Sequence, residues 1–313
     1  MNINILQGDC IKTLQKLDDK SINTCITSPP YWGLRDYGES NQLGLEDTPE
    51  KFVDNLVKVF REVKRVLRDD GTVWLNLGDS YARTGGDSSK KGRHWDDRKN
   101  NPNTGHNRYA KDIGLKQKDL VGIPWRVALA LQQDGWYLRQ DIIWHKPNPM
   151  PESVKDRCTK AHEYIFLLSK NVKYYFDNEA IKEDAKFPEG PNSAHNIKKG
   201  SDDPKMRTRV GLNKIGANPK KNKRSVWTIT TKPFKGAHFA TFPMDLIEPC
   251  VLAGCPEGGT VLDPFGGSGT TGIVAVNHNR HAVLCELNQE YIDLAKKRIE
   301  EQAGFLATIN ITK

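Results

Sequence analysis

Short β-branched apolar runs alternate along this chain with longer stretches in which apolar residues recur every three or four positions. The first pattern predicts strands and the second helices. Residues 2–6 (NINIL) predict a strand that Gly8-Asp9 ends. Residues 10–17 then place Ile11, Leu14 and Leu17 on one side of a short helix. Residues 21–27 (SINTCIT) predict the second strand. Thr48 and Pro49 stand where a helix N-cap and first helical position are expected. Phe52, Leu56, Val59, Phe60, Val63 and Leu67 continue the stripe, and Asp70-Gly71 is expected to close it. A strand over 72–77, a helix over 124–131 and strands over 139–145 and 164–168 follow. The last third predicts a helix within 240–252 beginning near Pro243, a strand over 260–262, a helix over 270–277, a strand over 282–286 and a final helix from Asn288. Alternation of this kind predicts an α/β fold built on a mostly parallel, doubly wound sheet.

Two stretches break the alternation. Residues 83–119 carry ten Lys/Arg against five acids, and residues 187–225 carry ten against three, local balances of +5 and +7. The whole chain of 313 residues is only +8, so the remainder is net −4 and the basic charge is concentrated in these segments. Both are rich in Gly, Asn, Pro and Ser, which reads as long loops or small irregular subdomains. A solvated, mobile insertion is the plain interpretation of either alone. Beside a nucleobase-type active site, binding to a polyanion gains weight.

Composition narrows the class further. A hydrophobic content of 37% over 313 residues is enough for a sizeable core plus a smaller insertion. The start, MNINILQGDC, has no signal-peptide pattern, and no apolar run approaches the roughly 18 residues that span a bilayer. The expectation is a cytoplasmic protein. The six cysteines include no Cys-x-x-Cys pair and no His at ligand spacing, so reduced and mostly buried thiols are expected and no metal site.

The chemistry concentrates in two segments that each follow a predicted strand, Thr27-Ser28-Pro29-Pro30-Tyr31 and Asp263-Pro264-Phe265-Gly266-Gly267-Ser268-Gly269-Thr270-Thr271. Carboxyl ends of strands are where open α/β sheets bind ligands. Gly266, Gly267 and Gly269 suit a sharp strand-to-helix turn at which a ligand approaches backbone N–H groups. Glu286 ends the next strand, 17 residues beyond Gly269, close to the spacing at which an acid grips ribose hydroxyls. The loop departs from Gly-x-Gly-x-x-Gly and no phosphate-binding Lys follows it, which disfavours NAD and nucleoside triphosphates.

Ser-Pro-Pro-Tyr ahead of Phe-x-Gly-x-Gly resembles the amino-group DNA methyltransferases, and the order of the motifs resembles their β class. The resemblance implies a Rossmann-like fold dependent on S-adenosyl-L-methionine, with residues 1–170 as the catalytic half, 171–225 as the target-recognition region and 226–313 as the cofactor half. It assigns Asp9, Phe242, Pro243, Asp263, Phe265, Gly267, Gly269 and Glu286 to the cofactor, with 238–243 (HFATFP) wrapping its methionine end.

An exocyclic amine is a poor nucleophile because its lone pair is delocalised into the ring. The Ser28 hydroxyl and a carbonyl of Pro29-Pro30 are acceptors that would draw it towards tetrahedral geometry, held in place by the fixed proline φ angles. Tyr31 offers a face for stacking on an extruded base. Ser rather than Asp at the first position resembles the cytosine-N4 members, leaving adenine N6 as the alternative and a catalytically idle DNA-binding module as a remote one. Trp32, Arg35, Asp36 and Tyr37 are candidates for lining the base pocket or touching phosphates. Lys146, in Trp144-His145-Lys146-Pro147-Asn148-Pro149, is a candidate phosphate or base contact. Arg207, Arg209 and Arg224 are candidates for reading guanine edges, and Lys220, Lys221 and Lys223 for phosphates. Pro249-Cys250 falls in a predicted helix, so the cysteine-adduct chemistry of ring-carbon methyltransferases is not indicated. Duplex DNA is the implied partner, while a homodimer and a cognate restriction endonuclease are left open.

Overall fold

The structure is a computed structural model that describes residues 1–34, 42–82, 113–185, 219–231, 242–304 and 307–313. It divides into two compact units, one of Met1–Phe176 with Ser225–Lys313 and one of Asp177–Arg224.

The strands of the first unit are β1 (Asn2–Gln7), β2 (Ile22–Thr27), β3 (Leu67–Leu77), β4 (Tyr137–His145), β5 (His162–Ser169), β8 (Val226–Thr228), β9 (Thr260–Asp263), β10 (His281–Glu286) and β11 (Thr308–Thr312). They form one nine-stranded sheet of order β11-β1-β10-β9-β2-β3-β5-β4-β8. Only β5 runs against its neighbours β3 and β4; every other pairing is parallel. The helices are α1 (Cys10–Leu14), α2 (Pro49–Val66), α3 (Ile123–Gln133), α4 (Met244–Gly254), α5 (Thr270–Asn277) and α6 (Gln289–Ala303).

Side-chain alternation along the strands separates the helices into two layers. Val73, Leu75 and Leu77 of β3 join Phe52, Leu56 and Phe60 of α2 and Val127 and Leu131 of α3 in one buried cluster. The intervening Thr72 and Trp74 face the other way, so closely against Gly254 of α4 that a Cβ there would come within 2.6 Å of Trp74 Nε1. α2 begins as its sequence dictates: Thr48 caps it by accepting from the Lys51 N–H, and Pro49 occupies the first turn. Asn288 likewise caps α6, accepting from Glu290 and Tyr291.

Some expectations need correcting. Asp70-Gly71 does not close α2. The helix ends at Val66, and β3 begins at Leu67 with exposed Arg68, Asp69 and Asp70 out of the ladder, whose register jumps from Ile22↔Leu67 to Thr24↔Thr72. α1 is shorter than its apolar pattern, ending at Leu14. β8 and the edge strand β11, which pairs with β1, were not expected.

The first basic segment leaves and re-enters the fold at one place. Ala82 N–H donates to Asp119 O and Lys118 N–H to Ala82 O, while the Asp79 carboxylate accepts from the N–H groups of Gly122 and Ile123 at the start of α3. Residues 83–112 of that segment lie outside the described residues. In the second unit, β6 (Glu183–Asp184) pairs antiparallel with β7 (Lys220–Lys221). Among the described residues no helix is long and apolar enough to cross a membrane, and no His/Cys/Asp/Glu group could hold a metal ion. Four of the six free cysteines are buried, Cys10 is half-buried and Cys158 exposed.

Candidate active site

The sheet reverses its winding between β9 and β2, where connections leave in opposite directions on opposite faces, and a crevice opens there at the carboxyl ends of the strands. One cavity of about 350 Å³ fills it, lined in part by Asp9, Ser28, Pro29, Pro30, Tyr31, Asn76, Trp144, Lys146, Glu163, Phe242, Asp263, Phe265, Gly267 and Glu286. The two segments singled out in the sequence, 235 residues apart from Ser28 to Asp263, thus share a single cavity.

Asp263 joins its two walls. The carboxylate accepts from the Thr27 hydroxyl at 2.6 Å, the Thr271 hydroxyl at 2.7 Å and the Phe265 N–H at 3.0 Å, tying the end of β2 to the first turn of α5. Its contacts therefore brace the loop. Burial raises its pKa from 3.8 to about 6, and its three hydrogen bonds only partly oppose the rise. A carboxyl with a raised folded pKa takes up a proton on folding between those two values. Its contribution to stability is greatest below pH 4 and declines as pH rises to about 6, by about 3 kcal/mol in all. The stability of the wild type relative to Asp263→Asn is expected to fall across that window in paired denaturant titrations. A difference that stays flat with pH would contradict the buried, titrating carboxyl.

The glycine loop is built by close approach. Gly266 N–H donates to Cys285 O, and a Cβ on Gly266 would stand 2.9 Å from Leu284 Cβ. Gly269 has φ +78° and caps α5, where a Cβ would meet Ala295 at 3.0 Å. Gly269 and Pro243, the buried N-cap of α4, are not in the cavity wall; both position what is. Glu286 accepts from Gly267 N–H at 2.8 Å and Asn288 N–H at 2.9 Å, and burial raises its pKa. Asp9 caps α1 through Lys12 N–H and borders the same end of the cavity.

At the other end, Tyr31 is fixed on two sides. Its hydroxyl donates to Glu163 Oε2 at 2.7 Å and lies 3.2 Å from Asn76 Oδ1, and its ring lies so near β3 that a Cβ on Gly78 would come 2.5 Å from Cε2. The Ser28 hydroxyl reaches the Tyr31 hydroxyl at 3.5 Å. Lys146 pairs with Glu163 Oε1, and its ammonium sits 4.1 Å from the centre of the Trp144 ring. Asn76, Gly78 and Glu163 were not among the sequence candidates; an acid and an amide at strand ends carry no motif of their own.

Trp32 does not line the pocket. It is 3% exposed in the core with its indole N–H on Glu46 O. Cys250 is buried within α4, outside the cavity wall. In the second unit, Lys221 and Arg224 both pair with Glu183 and Lys220 with Asp184. Arg207, Arg209, Arg35, Asp36, Tyr37 and residues 238–241 lie outside the described residues.

This fold and strand-end site go with a family match: the chain belongs to the DNA methylase family of N6/N4 amino-methyltransferases, whose profile matches residues 22–297. The cofactor of this family is S-adenosyl-L-methionine. Among similar curated proteins, the Type II methyltransferase M.SmaI of Serratia marcescens is 51% identical over 297 residues, covering 94% of this chain and 90% of its own. The Type II methyltransferase M.Cfr9I of Citrobacter freundii is 47% identical over 296 residues, covering 95% and 87%. The fold is also that of the PvuII cytosine-N4-specific DNA methyltransferase (TM-score 0.62, 18% identity, 99% of this chain and 95% of that one). It is shared as well by a DNA modification methylase of Thermus thermophilus, TTHA0409, in complex with S-adenosyl-L-methionine (TM-score 0.59, 23% identity, 99% of each chain). This protein is accordingly a Type II DNA methyltransferase of the amino-methylating class.

Proposed function

We propose that this DNA methyltransferase modifies the exocyclic N4 of cytosine in duplex DNA, flipping the base into the Ser28-Pro29-Pro30-Tyr31 end of the cavity and transferring the methyl group by direct displacement. The observation that carries this reading is the single cavity in which the Ser28 hydroxyl and the Gly266-Gly267 loop face one space.

The residues present suit the cofactor. Glu286 keeps acceptor capacity for ribose hydroxyls beyond the two N–H groups it already holds. Phe265 and Phe242 supply apolar wall, Asp9 stands near the adenine end, and Gly266 and Gly267 allow close approach to main chain. Gly269, Pro243 and Asp263 act by holding these in place. When bound, S-adenosyl-L-methionine supplies an electrophilic methyl carbon.

The chain's own groups prepare the amine. The Ser28 hydroxyl and the Pro29 carbonyl each accept an N–H of the amino group, which localises the nitrogen lone pair for attack. Tyr31 stacks on the base, and the proton is released afterwards to solvent. A neutral acceptor at position 28 favours cytosine over adenine. Lys146, held inside the cavity, acts at the base and not along the phosphate backbone.

Residues 171–225 serve as the target-recognition region, 1–170 and 226–313 as the catalytic and cofactor halves. Lys221 and Arg224 contact DNA by exchanging Glu183 for phosphate, an inexpensive exchange because exposed ion pairs contribute only about 0–1 kcal/mol. Arg207 and Arg209 read base edges. The Type II relatives extend the reading to a cognate restriction endonuclease as partner, with a homodimer as the assembly.

Mass spectrometry of nucleosides from duplex DNA of mixed sequence, incubated with the protein and S-adenosyl-L-methionine, tests the base assignment. N4-methylcytosine is expected. N6-methyladenine would overturn the assignment while leaving the enzyme class standing.

A further inference from the structure

Three neighbouring strands converge on one carboxylate. β5 lies between β3 and β4, with Glu163 directly opposite Trp144 of β4 and Ile165 opposite Asn76 of β3. Glu163 Oε2 accepts from the Tyr31 hydroxyl at 2.7 Å and the Asn76 amide at 3.3 Å, and Oε1 takes the Lys146 ammonium. Asn76 is itself fixed by donating to Tyr164 O at 3.1 Å. All of these side chains except Tyr164 line the cavity, and the carboxylate joins no part of the apolar core.

We propose that Glu163 is the positioning residue of the target-base pocket, its carboxylate setting the Tyr31 ring and the Lys146 ammonium together. The inference rests on the methyltransferase reading and holds for either acceptor base. An ionised carboxylate is acceptor-only, with about four lone-pair sites, and here it meets three donors from three separate segments. The side chains of Glu163 and Lys146 are only 16% and 18% exposed, so bulk salt screens the pair little. Gly78 stops the Tyr31 ring on one side and the Glu163 hydrogen bond holds its far end, which leaves the ring one orientation within the cavity. Without the carboxylate, the Lys146 ammonium keeps the Trp144 ring but loses its counter-charge, and it carries positive charge towards nearby Lys160. Tyr31 sits three residues after Ser28, so an error in its ring angle carries to the base presented to the Ser28 hydroxyl. Misplacement by about 1 Å costs on the order of a hundredfold in rate.

The test compares Glu163→Gln, Tyr31→Phe and the double variant in single-turnover methylation of duplex DNA, with S-adenosyl-L-methionine affinity measured alongside. Glu163→Gln is expected to lower the rate roughly 10- to 100-fold with unchanged cofactor affinity, and Tyr31→Phe about tenfold. Because Glu163 acts through Tyr31, the double variant is expected to be no slower than Glu163→Gln alone. A merely structural role would lower cofactor affinity and melting temperature together with the rate. Full-rate turnover by either single variant, or losses that multiply in the double, would overturn the inference. If Glu163→Gln fails to fold, full-rate turnover by Tyr31→Phe overturns it and a tenfold loss at unchanged cofactor affinity supports it. A wild-type protein inert on all DNA removes the methyltransferase reading itself, an outcome distinct from an active wild type with unaffected variants.

Discussion

Replacing Ser28 by alanine is expected to lower methyl transfer at least about a hundredfold while leaving S-adenosyl-L-methionine affinity unchanged. The hydroxyl lies at the end of β2, half-buried in the cavity, and the Tyr31 hydroxyl stands 3.5 Å away, too far to occupy it fully. It is therefore available to an incoming amine. Removing one preorganised group that interacts with charge developing in the transition state typically costs about 10²- to 10³-fold, about 2.7–4 kcal/mol. The backbone there is held by the two prolines and by the Thr27 hydroxyl on Asp263, none of which the substitution touches. Cofactor affinity consequently separates a lost acceptor from a collapsed site. Undiminished single-turnover transfer by Ser28→Ala would remove the hydroxyl from the chemistry.

What the sequence disclosed followed from local signals. α2 was legible because a cap, a proline and an apolar stripe agree over eighteen residues. The two strand-end segments were legible because strand, turn and helix follow one another within a dozen positions. The pocket wall opposite them was not. Glu163 meets Tyr31 across 132 positions and Asn76 across 87, through the antiparallel insertion of β5 between β3 and β4, and no local pattern reports a strand reversal in an otherwise parallel sheet. Trp32 misled for a related reason: it adjoins the catalytic segment in sequence, yet it points beneath it into the α2 layer. Asp263 was legible as a site residue, but not the direction of its carboxylate, which Thr27 and Thr271 turn inward. β11 stayed hidden because its five residues are largely exposed and have little burial to drive an apolar pattern.

Glu286→Ala is expected to weaken S-adenosyl-L-methionine binding about a hundredfold, or about 2.7 kcal/mol. The magnitude follows from the acceptor geometry. Each Glu286 oxygen already holds one backbone N–H, Gly267 on Oε2 and Asn288 on Oε1, which leaves roughly one lone-pair site on each for a ribose hydroxyl. Hydrogen bonds to a charged acceptor contribute about 1.5–3 kcal/mol apiece, part of which the alanine protein recovers through water. The substitution also releases the Gly267 and Asn288 N–H groups, so a loosened loop is the competing explanation. Glu286→Gln distinguishes the two, because its single carbonyl oxygen serves one loop N–H or one hydroxyl but not the full set, and an intermediate loss of about tenfold is expected. Burial already raises the Glu286 pKa, so the ionised carboxylate is disfavoured in the free protein and its removal spares the fold. Calorimetric titration with S-adenosyl-L-methionine reads the affinities directly. A saturating cofactor concentration should restore the turnover of Glu286→Ala, since the Ser28 end of the cavity is untouched. An unchanged dissociation constant would confine Glu286 to bracing Gly267 and Asn288, whereas weak binding with turnover that saturating cofactor cannot restore would mean that the loop, and not the lost acceptor alone, sets the methyl donor in place.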